Sequence, residues 1–129
     1  LTDAINIKTA HIVNLGIEFD IIPRPSLNSN EVLLLCISKL KEIFNNDRMQ
    51  INMPINISNL YTELDKIEGV QSVARFEITN KFDTREGYAG NQYDINGAIR
   101  NGILYPSLDP CIFEVKFPNK DIKGRIVSN

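Results

Sequence analysis

A single histidine, His11, stands in a chain of 129 residues, and most of the sites that histidine builds are excluded with the missing ones. A metal centre of several imidazoles is impossible, and a Ser-His or Cys-His pair has one ring to draw on. At the start of a strand pattern that ring reads as structural. Two cysteines, Cys36 and Cys111, are too few and too far apart for a disulfide framework or a zinc site. They read as buried, reduced thiols of a protein made in the cytosol, with a single Cys36–Cys111 bridge left open. Neither sign of charge dominates: 14 Lys and Arg against 16 Asp and Glu leave a net charge of −2 and a pI near 5.4. That balance argues against a nucleic-acid partner, whose binding draws on many cationic contacts to phosphate. Lys116, Lys120, Lys123 and Arg125 gather near the C-terminus, but Glu114 and Asp121 interrupt them, as on a solvated strand face. No apolar run approaches the roughly 20 residues that span a bilayer, so no membrane partner is expected. The patterns GxSxG, HExxH, CxxC, GxGxxG and the P-loop are all missing. Asp83, Arg85 and Glu86 cluster without calcium-loop spacing. No catalytic residue, cofactor or metal is therefore expected.

What is present is a folded domain's worth of pattern. With 43% hydrophobic and 23% charged residues, the chain suits one domain spanning residues 1–129, large enough to bury a core without staples. Val13, Leu15, Ile17, Phe19 and Ile21 alternate with Asn14, Gly16, Glu18 and Asp20, the period of a strand with one buried face. Pro23 and Pro25 stop it, and Ser26 to Asn30 supply capping residues for a helix. Leu33, Ile37, Leu40 and Phe44 form that helix's apolar stripe, with Cys36 and Ile43 beside it. Leu34 and Leu35 fall off the stripe. Either a neighbouring loop covers them, the favoured reading, or they face another subunit.

Ser58 is placed to cap a second helix carrying Leu60, Leu64 and Ile67, and Gly69 to end it in a left-handed conformation. A strand follows, with Ala74, Phe76 and Ile78 on one side and Val73, Arg75, Glu77 and Thr79 on the other. From Asn80 to Gly102 the chain becomes rich in Gly, Asn, Asp and Tyr, a long excursion of the kind that tends to be functional or disordered. Asn101-Gly102 favours a type I′ hairpin, and Asn96-Gly97 a similar turn before it. Cys111, Phe113, Val115 and Phe117 mark another strand, after which Pro118–Asp121 turns the chain back into Ile122–Val127, a short basic edge strand. Helices among the first strands followed by hairpin-linked strands predict an α+β two-layer sandwich, a mostly antiparallel sheet with two helices on one face.

Tyr88, Tyr93 and Tyr105 lie in or beside the excursion with Arg85 and Arg100. Tyrosine and arginine dominate interface hot spots, which makes these five, with Leu34 and Leu35, the candidate contact residues. The other reading, that each tyrosine packs on its own domain, stands beside it.

Two segments carry a family likeness: YDINGAIRNGILYPSLDPCIFEVKFPNKDIKGR, from Tyr93 to Arg125, and INMPINISNLYTELDKIEGVQSV, from Ile51 to Val73. Together, about half the chain resembles the C-terminal end of the baseplate wedge proteins of T-even-like contractile-tail phages, a branch of the baseplate J-like group. The resemblance implies a virion structural protein, assembled in the host cytoplasm into the tail baseplate, whose partners are copies of itself and other wedge proteins in a homo-oligomeric assembly. It brings no active site. Because the chain begins at Leu1, it is expected to be the C-terminal piece of a longer wedge protein. A small-ligand-binding regulatory module is the alternative, since fold alone does not decide function.

Overall fold

The structure, a computed structural model, describes residues 11–25 and 28–128. Strand β1, His11–Pro23, is its spine. Val13, Leu15, Ile17, Phe19 and Ile21 are all buried on one face, as the alternation predicts. On one side β1 pairs antiparallel with β3, Val70–Lys81. On the other side two short strands share one position. β6, Cys111–Glu114, runs parallel to His11–Asn14, and β7, Ile122–Ile126, runs parallel to Ile17–Ile21.

The chain therefore does not turn back at Pro118–Asp121. Those residues form a one-turn helix, α3, with Pro118 in its first turn, where a preset φ and a missing N–H suit a helix start. The N–H groups of Lys120 and Asp121 donate to the Phe117 carbonyl, and the strand resumes in its former direction.

Helix α1, Ser29–Ile43, begins at Asn28, whose side-chain oxygen accepts from the Asn30 and Glu31 N–H groups. Its buried line is Val32, Cys36 and Leu40, continuing to Phe44, with Leu33, Ile37 and Ile43 half-buried beside it. The stripe is thus centred one position earlier than the sequence suggests, because α1 lies over β7 and Leu33 rests on that strand at Gly124. Helix α2, Ile57–Asp65, buries Leu60 and Leu64 and lies over β3, where Tyr61 packs 5.8 Å from Phe76 between ring centroids. Its cap is Asn56, which accepts from Asn59 N–H, rather than Ser58. Gly69 follows at φ 96°, in the expected left-handed region. Both helices cover the face that Phe19 and its paired neighbour Phe76 present, which makes the architecture an α+β two-layer sandwich.

Strand β3 departs from simple alternation. Asp20 pairs with Arg75, but the next residue, Ile21, pairs with Val73, so Ala74 is the extra residue of a β-bulge. The bulge reverses the side assignments beyond it: Val73 packs against the core and Ala74 is exposed.

A second, small sheet is antiparallel throughout, with β5, Ile103–Leu104, between β2, Ile55–Asn56, and β4, Ile99–Arg100. Asn101 and Gly102 join β4 to β5 at φ 53° and 77°, the positive pair a type I′ turn requires. Asn96-Gly97 instead enters a 3₁₀ turn, Asn96–Ala98, with the Gly97 N–H donating to the Asp94 carboxylate. Cys36 and Cys111 are free and buried, which closes the question of a bridge, and burial pushes the Cys36 thiol up to about 11.

Gly124 tests this packing. A Cβ there would stand 2.3 Å from the Phe19 ring and 2.8 Å from Leu33. Gly124→Ala is expected to destabilise by about 1–3 kcal/mol in urea unfolding, whereas Lys123→Ala, on an exposed neighbour, should stay within ~0.5 kcal/mol. An alanine variant as stable as the parent would mean that α1 does not rest on β7 here.

Candidate interaction surface

The excursion between β3 and β4 is ordered by side-chain bonds rather than by regular structure. Asn14, on β1 and 1% exposed, is the anchor. Its amide donates to Glu114 at 2.7 Å, its side-chain oxygen accepts from Ala89 N–H at 2.8 Å, and its carbonyl accepts from the Asn80 side chain at 3.0 Å. Asn91 donates to the Ile12 carbonyl at 2.8 Å, and the Tyr93 N–H to Asn80 at 2.8 Å. A buried polar side chain without partners would be costly, so Asn14 and the excursion stabilise each other.

At the excursion's first turn, Asp83 caps the 3₁₀ segment Thr84–Glu86 and accepts from Arg85 through both backbone and side chain. The same contacts hold its carboxyl below the ordinary range. Gly87, at φ 96°, then carries the chain past the Phe117 ring, and the Lys116 ammonium donates to the Gly87 carbonyl.

Of the candidate contact residues, two have work inside the chain. Tyr88 is buried, stands edge-on to Phe117 at 5.5 Å, and donates its hydroxyl to buried Asp121 at 2.6 Å. Burial and that bond hold the phenol far above its ordinary range. Tyr93 packs 5.9 Å from Phe113 and donates its hydroxyl to the Tyr105 carbonyl at 2.6 Å. For both, the reading in which a tyrosine packs on its own domain describes the structure. Arg85 is exposed but folded back on Asp83. Arg100 and Tyr105 are brought together on β4 and just past β5, the guanidinium 5.7 Å from the ring centre and both side chains open to solvent. Leu34 and Leu35, on α1, are 62% and 53% exposed, so the covering loop expected over them is not found among the described residues.

Sequence reasoning passed over three features. Phe82 and Leu108 are exposed apolar residues in irregular chain, where no periodicity flags them. On the sheet face opposite the helices, Asp20 lies between two arginines of the flanking strands, 2.8 Å from Arg125 Nε and 3.2 Å from Arg75 Nε, with Glu18 a further 3.6 Å contact of Arg75. The pairing depends on register, and only the alternation on β1 hinted at its side. Third, an open groove of about 580 Å³ runs beside Glu77–Asn80 and Phe82, walled on the other side by Gln92–Asn96. Among the described residues no group of three or more His, Cys, Asp and Glu is placed to hold a metal, and no helix is long and apolar enough to cross a membrane.

Two measurements probe these contacts. Hydrogen bonding from Arg125, then from Arg75, outweighs burial and holds Asp20 below its ordinary value of 3.8. A carboxylate with a depressed folded-state pKa stabilises the fold above its unfolded value, and that contribution disappears as pH falls through the folded-state pKa. Asp20→Asn should therefore cost about 1–2 kcal/mol at neutral pH, allowing for partly exposed arginines. The gap should close on acidification below the carboxylate range; a gap unchanged with pH would sink the assignment. Tyr88→Phe should cost about 1–3 kcal/mol by leaving the Asp121 carboxylate, whose Oδ1 has no partner among the described residues, without its bond to the Tyr88 hydroxyl. Adding Asp121→Leu should recover part of that loss, whereas additive losses would mean the pair is not coupled.

No family model matches the chain, and no curated protein matches it.

Proposed function

We propose that this chain is a structural component of a contractile-tail baseplate, the C-terminal domain of a wedge protein, which joins copies of itself and other wedge proteins within the virion. The observation that carries the reading is the likeness of two separated segments together with where they lie. Ile51–Val73 contributes β2 and α2, and Tyr93–Arg125 contributes β4 and β5. Ile55 pairs with Leu104, and the Ile57 and Ser58 N–H groups donate to the Gly102 carbonyl at 2.8 and 3.3 Å. The two likenesses therefore belong to one packed unit rather than to scattered fragments.

The exposed chemistry of this unit suits adhesion. Arg100 and Tyr105 form an exposed stacked pair on that unit, with solvent-exposed Leu108 three residues on. Arginine and tyrosine lose little freedom when already held against each other, which favours them at contact centres. For the ligand-module alternative, the apolar pocket between the helices, lined by Phe44, Met49, Met53 and Leu60, holds about 130 Å³, below the range of ordinary small-molecule sites, and the hollow of about 580 Å³ beside β3 is an open groove with many polar residues in its walls.

The first test is the neighbourhood of the coding region, expected among tail genes; a location among metabolic genes would overturn the reading. The second uses the wedge proteins encoded beside it. Replacing Arg100 and Tyr105 together by Ala should weaken co-sedimentation with them by roughly tenfold or more while the unfolding midpoint stays put. Undiminished binding would remove the pair from the contact.

A further inference from the structure

Strand β3 is the outermost strand of its sheet, paired with β1 alone among the described residues, and from Arg75 to Lys81 its register is unbroken. The open groove described above flanks this free edge from Glu77 to Phe82. Regular free edges invite strand addition, and natural proteins guard them with like charges, prolines or bulges. The bulges of β3 lie at its other end. Around Thr79 the pattern is of a different kind. On the face away from the helices, Arg75, Glu77, Thr79 and Lys81 read cation, anion, neutral, cation, and Asp83, an anion, follows two residues past the strand's end. On the helix side, Phe76 and Phe82 stand equally far from the same centre.

Two identical strands paired antiparallel about a two-fold axis set each residue opposite the one equally far beyond the axis, on the same face of the sheet. With the axis at Thr79, Glu77 faces Lys81 of the second copy, and a ladder continued past Lys81 would bring Phe82, 45% exposed in the single chain, to Phe76 and Asp83 to Arg75. Neighbouring registers are worse. An axis at Ile78 opposes Arg75 and Lys81, one at Glu77 opposes that residue to itself, and one at Asn80 opposes Glu77 and Asp83. An axis at Phe76 draws the Ala74 bulge into the ladder. On the opposite edge of the sheet, unpaired among the described residues, β7 offers only Lys123 and Arg125 on its polar side, so self-pairing there would set cation against cation. We infer that a second copy of this chain adds to β3 about Thr79, forming one sheet through both copies. The inference rests on the assembly reading and supplies its joint between like subunits.

Sedimentation velocity over a concentration series should show a monomer–dimer equilibrium. Glu77→Lys or Lys81→Glu alone should weaken it roughly tenfold, since two attractive cross-strand pairs become repulsive. The two single variants mixed should associate with each other, and the double variant E77K/K81E with itself. Thr79→Cys should form a disulfide-linked dimer under mild oxidant, because opposite residues of an antiparallel pair lie within disulfide reach; the parent, whose thiols are buried, is the control. A strict monomer at every concentration overturns the inference. So does a dimer indifferent to Glu77→Lys and not linked through Thr79→Cys, which would place the contact elsewhere, on α1 or β7. Either result leaves the assembly reading to its own tests, the gene neighbourhood and the binding of other wedge proteins.

Discussion

Every other element is arranged around the enclosure of β1. Its apolar face is fully buried by two helices, both of its edges are paired, and its opposite face carries two buried polar side chains, Asn14 and Asp20. A strand enclosed on four sides constrains its surroundings, because each buried polar group needs partners from elsewhere in the chain. Asn14 draws on Glu114, Ala89 and Asn80, and Asp20 on Arg75 and Arg125. The two sets of partners divide the outer face: the excursion occupies one half, and the ion cluster occupies the other.

That division bears on how the protein works. A loop of 17 residues, 82–98, ordinarily costs conformational entropy to hold still, yet here it is held by bonds to β1, to α3 and to the small sheet. What remains outward is a set of separated exposed elements: the Arg100–Tyr105 pair, the leucines of α1 and the outer edge of β3.

Much of the frame is legible in the sequence because it follows from local rules. The alternation on β1, Leu60 and Leu64 on α2, the left-handed Gly69 and the Asn101-Gly102 turn all read correctly, since each depends on residues within a few positions, while Ile67, expected on the same helix, lies past its end. Ala74 is missed because a bulge is a relation between two strands. The reversal expected at Pro118–Asp121 becomes a helical turn because proline serves both structures, and the parallel pairing that decides between them is made with residues a hundred positions away. The candidate surface divides for the same reason. A tyrosine that seals a core and a tyrosine that faces a partner look alike until Asp121 and Phe113 are found beside Tyr88 and Tyr93.

The parallel run of β1 and β7 gives the molecule a mechanical direction. In parallel strands the start of one and the end of the other lie at opposite ends of the sheet. Tension entering ahead of His11 and leaving beyond Ile126 therefore slides the two strands past each other. Their rungs share the strain together instead of parting one by one like a zip. A domain strung this way resists a pull along its spine far better than a peel across it.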